Sequence, residues 1–159
     1  MHMPIFFISR TPNKKKYSES DMSTEFYDSL EFYGRRSIDY INFNSCRDMD
    51  IETFFKKEMK MEIQKLANTH EYKIKFDEKL FRTWINKTLQ ENINPKRMDK
   101  TGDLLATYRN VKNTYYSYDE PVILEKTRYY DSFLDFFCDE WAGPKDGEYL
   151  YVQAYDCHC

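Results

Sequence analysis

The chain has 159 residues, 41% hydrophobic and 32% charged, with a formal net charge of −3. That is enough apolar material for one buried core, and it is not the composition of a disordered chain. Four scattered glycines (Gly34, Gly102, Gly143 and Gly147) exclude the clustered-glycine loops of Rossmann and P-loop nucleotide sites.

Pro4–Arg10 reads as a short buried strand. The apolar start is brief and lacks a basic leader, a poor match to a signal peptide, and no run approaches the roughly 18 apolar residues of a membrane span. A cytoplasmic location and reduced Cys46, Cys138, Cys157 and Cys159 are therefore expected. Residues 11–23 are polar, with three serines and Lys14, Lys15 and Lys16, and read as a mobile loop. Residues 26–33 alternate and read as a strand, Gly34 turns the chain, and residues 38–44 read as another strand.

A helix is expected over 50–68, because Ile51, Phe55, Met59, Ile63 and Leu66 fall on one helical face. Residues 71–76 alternate strictly and predict a strand with one solvated face. Asp77 then caps a helix over 77–90, with Leu80, Phe81, Trp84, Ile85 and Leu89 inward. A third helix is expected over 102–116 and a fourth over 121–141, opened by Pro121 and closed by Gly143–Pro144. In the fourth, Tyr130, Leu134, Phe137 and Trp141 form the core stripe, while Tyr129, Phe133 and Phe136 flank it. Residues 148–155 alternate and read as the last strand. The expected fold is α+β in a single domain spanning 1–159: a small, mostly antiparallel sheet packed with about four helices.

Charge is distributed unevenly. Tyr118–Cys159 carries ten carboxylates against three cations, whereas the preceding residues are net positive. Asp131, Asp135 and Asp139 lie four apart on the fourth predicted helix, with Glu140 beside them. Together with Tyr129, Phe133 and Phe136 they make a candidate partner-binding face, since acidic groups orient a basic partner and rings supply affinity. The same carboxylates would suit Mg²⁺ in a small nuclease or phosphotransferase. Lys14, Lys15, Lys16, Arg35 and Arg36 are a candidate nucleic-acid contact, with Tyr17, Tyr33 or Tyr40 stacking on bases, but a dedicated binder carries a basic surplus that this chain lacks.

Cys157–His158–Cys159 contains zinc-ligand residue types without a CxxC pair, so ordinary thiols are the expectation, and no cofactor is implied. A Cys–His dyad through His70 has no supporting motif. Lys, Asn, Ile, Tyr and Phe outnumber Gly, Ala, Arg and Pro by nearly three to one, which points to an A/T-rich genome, viral, phage or low-GC bacterial. The sequence reading is a non-enzymatic inhibitor that blocks a basic host protein such as a nuclease or defence effector, in the manner of an anti-CRISPR protein.

Overall fold

The computed structural model describes residues 2–22, 40–92, 122–130 and 132–158. Its centre is one mixed sheet of seven strands: β1 (His2–Ser9), β2 (Tyr40–Cys46), β3 (Glu62–Lys65), β4 (Tyr72–Lys75), β5 (Val122–Leu124), β6 (Arg128–Tyr130) and β7 (Tyr149–His158). The order is β3-β4-β7-β1-β5-β6, and β2 also pairs with β7. β7 organises the sheet because it is long enough to take partners in series. Its first half pairs with β4, from Tyr72↔Val152 to Lys75↔Tyr149, and its second half pairs with β2, from Cys46↔Tyr155 to Tyr40↔His158. Its other side is matched along its whole length by β1, from His2↔His158 to Ser9↔Tyr151. β1 and β5 are parallel, and the other pairings are antiparallel.

Both faces of the sheet are covered, which explains why β1 is apolar without interruption from Ile5 to Ile8. On one face Phe6, Ile8, Val122, Leu124, Leu150, Val152 and Ala154 pack against the helices. On the other, Ile5, Phe7, Ile123, Tyr155 and Cys157 pack against Tyr17, Met22 and Ile41. The helices among the described residues are α1 (Asp48–Ile51), which widens into a π-helical segment Glu52–Glu58, then α2 (Glu78–Asn92) and α3 (Phe133–Phe137); a 3-10 turn spans Glu19–Asp21.

The expectation of about four helices on a small, mostly antiparallel sheet is therefore corrected. The helix expected over 50–68 stops at Glu58. Ile51, Phe55 and Met59 are buried as its stripe requires, but Lys60 takes φ 63° and the chain leaves extended into β3, which pairs with β4. Residues four apart share a face in a helix and in a strand alike, so the spacing could not separate the two. The helix expected over 121–141 is instead a β5–β6 hairpin followed by α3. The hairpin turns at Glu125 and Lys126, both with positive φ, and Thr127 N donates to Leu124 O at 3.1 Å, the pattern of a type I′ turn. That turn usually announces itself with Asn or Gly, and neither is present. The strand expected over 26–33 and the helix expected over 102–116 lie outside the described residues. No described helix is long and apolar enough to cross a membrane.

Residues 11–22 have loop conformation apart from the 3-10 turn, and they are fastened by a buried carboxylate. Glu71 is fully buried and accepts from Asn13 N at 2.9 Å, Lys14 N at 3.3 Å and Gln153 Nε2 at 3.2 Å. Gln153 Nε2 also donates to Lys15 O, the Tyr155 hydroxyl donates to Gln153 Oε1, and Tyr17 N donates to Tyr155 Oη. Backbone donors thus take the place of a cation around a buried charge.

Candidate functional site: a tryptophan loop beside an acidic-rimmed cleft

The acidic aromatic segment does not fold as a helical column. Phe133 and Phe136 are fully buried. Phe133 sits 4.6 Å from the ring of Phe6 and 4.7 Å from that of Phe54, and Phe136 packs on Tyr130 and Phe137. Neither ring can meet a partner from this position. Tyr129 is half-buried against the opposite core. Trp141, expected in the core stripe, is 92% exposed. The reversal follows from the chain path: α3 begins at Phe133 rather than Pro121, so its helical face is rotated and ends before Trp141.

The carboxylates divide by role. Asp131 lies outside the described residues. Asp135 accepts from Ser132 Oγ at 3.0 Å, while Asp135 N donates to the same hydroxyl, so this pair caps α3. Asp139 ties down the loop after α3: Oδ1 accepts from Trp141 N at 2.8 Å and Ala142 N at 3.0 Å, and Oδ2 accepts from Tyr130 Oη at 2.7 Å. The Ala142 N–H, the Tyr130 hydroxyl and the Trp141 N–H hold the Asp139 carboxyl down at about 2. Gly143 N donates to Asp139 O at 2.8 Å, and a Cβ at position 143 would stand 2.4 Å from that oxygen. Only glycine fits there.

Cations complete the fastening. Arg10 donates from Nη2 to Ala142 O and from Nε to Glu148 Oε1, each at 2.7 Å. Lys145 Nζ donates to Glu140 O at 3.0 Å. The indole of Trp141 is therefore exposed while its backbone is pinned from both sides. Glu140, also exposed, stands next to it.

Beside this loop, α2 and the segment after α3 enclose a cleft of about 550 Å³. Phe76, Phe81, Ile85 and Phe137 contribute its apolar lining. Its charged lining is Glu78, Asp139, Glu140 and Asp146 against Arg82 and Lys145, and Arg82 is already paired with Glu78 at 2.7 Å. The arrangement can take an apolar group inside and cations at the rim.

The other candidates are not assembled into chemistry. Lys14 and Lys15 use their backbone in the Glu71 network, Lys15 Nζ is 3.8 Å from Asp21, and Tyr17 is buried, so it cannot stack on a base. Arg35, Arg36 and Tyr33 lie outside the described residues. His70 Nδ1 meets Asp48 at 3.1 Å. Burial raises the Cys46 thiol above its ordinary range, and partial covering with the nearby Asp135 raises that of Cys138, although the residue is exposed overall; an activated thiolate needs the opposite shift. Among the described residues no group of three or more His, Cys, Asp or Glu converges as a metal site. The signal for the loop was present in the sequence as Trp-Ala-Gly-Pro directly after Asp139–Glu140, a turn composition that argues against a buried tryptophan. Comparison of the chain with protein-family models, with curated proteins and with solved structures returned no match.

Proposed function

We propose that the protein is a non-enzymatic binding protein of viral, phage or mobile-element origin, acting in the host cytoplasm, which docks on a basic surface of a host protein and blocks it. The observation that carries this reading is an indole almost fully exposed on a loop whose backbone is already fixed. Tryptophan is prominent among residues that dominate interface energies, and a pre-ordered loop loses little entropy on binding. The adjoining cleft, apolar inside and acidic at its rim, is complementary to a segment carrying lysine or arginine beside an apolar side chain. A nuclease or defence effector whose nucleic-acid face is basic offers such segments.

The test uses amphipathic peptides rich in lysine and arginine, with acidic peptides of equal hydrophobicity as the control. Expected is binding of the basic set that weakens with salt and falls at least tenfold in Trp141→Ala and in a Glu140→Gln/Asp146→Asn double variant. Equal binding of the acidic set, or unchanged binding by both variants, removes the reading.

A further inference from the structure

The geometry points to a two-histidine site for a divalent transition-metal ion at the end of the sheet, formed by His2 and His158. These residues are directly opposite in the β1–β7 register, so their side chains leave the same face from paired positions. Their ring centres are 5.3 Å apart with planes inclined at 73°. Two imidazoles sharing one tetrahedral ion at about 2.1 Å per bond have ring centres roughly 5 Å apart, close to the separation that these two rings already have.

The surroundings orient both rings. His2 Nδ1 meets Asp156 Oδ2 at 2.7 Å, which directs Nε2 to the role of ligand. A carboxylate on the second nitrogen is the usual support of a metal-binding imidazole, because it fixes the tautomer and raises basicity. Asp156 is itself held: Arg47 Nη1 donates to its Oδ1 at 3.0 Å, and Arg47 Nε donates to Asp50 at 2.6 Å. On the other side of His158, Tyr40 stacks with planes 5° apart and centres 5.5 Å apart. β2, β7 and β1 thus present Tyr40, His158 and His2 as a row on one face, with the outer histidine backed by a fixed carboxylate. Imidazole suits zinc, copper and nickel over magnesium or calcium. Cys157 is not a ligand here; it is fully buried in the core beneath the opposite face. Water completes the coordination.

The experiment is calorimetric titration of the full chain with Zn²⁺ alone, for wild type, His2→Ala, His158→Ala and a Cys46→Ser/Cys138→Ser double variant, each checked for folding by circular dichroism. Expected is one ion per chain, bound at least tenfold more weakly by each histidine variant and unchanged in the cysteine variant. Asp156→Asn weakens binding by about 10- to 100-fold. Imidazole nitrogen shifts of the wild-type protein supply an independent readout, in which His2 and His158 both move during the titration while His70 does not; this decides the matter should a variant fail to fold. No binding at millimolar Zn²⁺, either histidine variant binding like wild type, loss of binding in the cysteine variant, or movement of only one of the two imidazoles overturns the site.

Discussion

Replacing Phe133 by alanine separates core from surface in the segment after β6. The ring is fully buried, and its neighbours are the rings of Phe6 (4.6 Å), Phe54 (4.7 Å), Phe55 (5.3 Å) and Phe137 (5.4 Å). Truncation removes the transfer free energy of the ring and leaves a cavity, which for Phe→Ala costs about 3–5 kcal/mol. Four rigid rings cannot collapse readily into the space, and each loses an aromatic pair worth about 0.5–1.5 kcal/mol beyond area. The upper half of that range, about 4 kcal/mol, is expected. With a urea slope of about 2 kcal/mol per M, the unfolding midpoint falls by roughly 2 M. Trp141→Ala is the contrast: the side chain is exposed, and a surface truncation stays within about 0.5 kcal/mol. Urea denaturation followed by far-UV circular dichroism measures both. A Phe133→Ala midpoint within about 0.5 M of wild type would mean the ring does not occupy the core, and the fold of α3 would be wrong.

Three further outcomes follow from the packing. Glu71→Ala leaves Asn13 N and Lys14 N without their acceptor, at about 1–3 kcal/mol per unpaired group, while Gln153 Nε2 keeps Lys15 O, so it destabilises by about 2 kcal/mol and speeds hydrogen exchange of the Asn13 and Lys14 amides; unchanged exchange would contradict the fastening. Burial pushes the Tyr17 hydroxyl up to about 12 from an ordinary 10.0, and burial likewise raises Tyr72 and Tyr155. A raised folded value means the stabilisation is complete below pH 10.0 and is lost as pH rises through about 12, so alkaline unfolding in that window should coincide with the rise of tyrosinate absorbance; tyrosines ionising with no loss of structure would refute it. Gly143→Ala drives a methyl to 2.4 Å from Asp139 O and 2.8 Å from Phe136 O, which costs about 1–3 kcal/mol and displaces the Trp141 loop, measurable as a lowered melting temperature; a wild-type melting temperature would show that the loop has room there.

What the sequence discloses depends on whether a local pattern has one structural meaning. Glu71–Phe76, which alternates strictly, holds the strand Tyr72–Lys75, and the alternation in Glu148–Tyr155 marks β7, which runs on to His158 because β1 and β2 continue beside it. Asp77 caps α2 as its position suggests, its Oδ1 accepting from Leu80 N at 2.8 Å. The spacing of Ile51 to Leu66 has two meanings, and tertiary pairing with β4 selects the extended one for its second half. Val122–Leu124 carries no period at all, since it is buried throughout beside β1, and only the distant strand identifies it. The expected exposed rings, Phe133 and Phe136, are buried, and the ring expected in the core stripe, Trp141, is exposed. Charge and aromatic content singled out residues 129–141, whereas exposure depends on where α3 starts, and a type I′ turn without glycine concealed that.

Fluorescence of Trp141 shows whether a partner docks on its loop, because the chain has only two tryptophans and Trp84 is buried. In a Trp84→Phe variant the fluorescence reports position 141 alone. Free protein should emit as a water-exposed indole that acrylamide quenches fully. On addition of a basic amphipathic peptide that binds, the emission should shift to the blue and quenching should fall, and salt should reverse both. A bound peptide that leaves Trp141 red-emitting and fully quenchable would contradict docking through this loop.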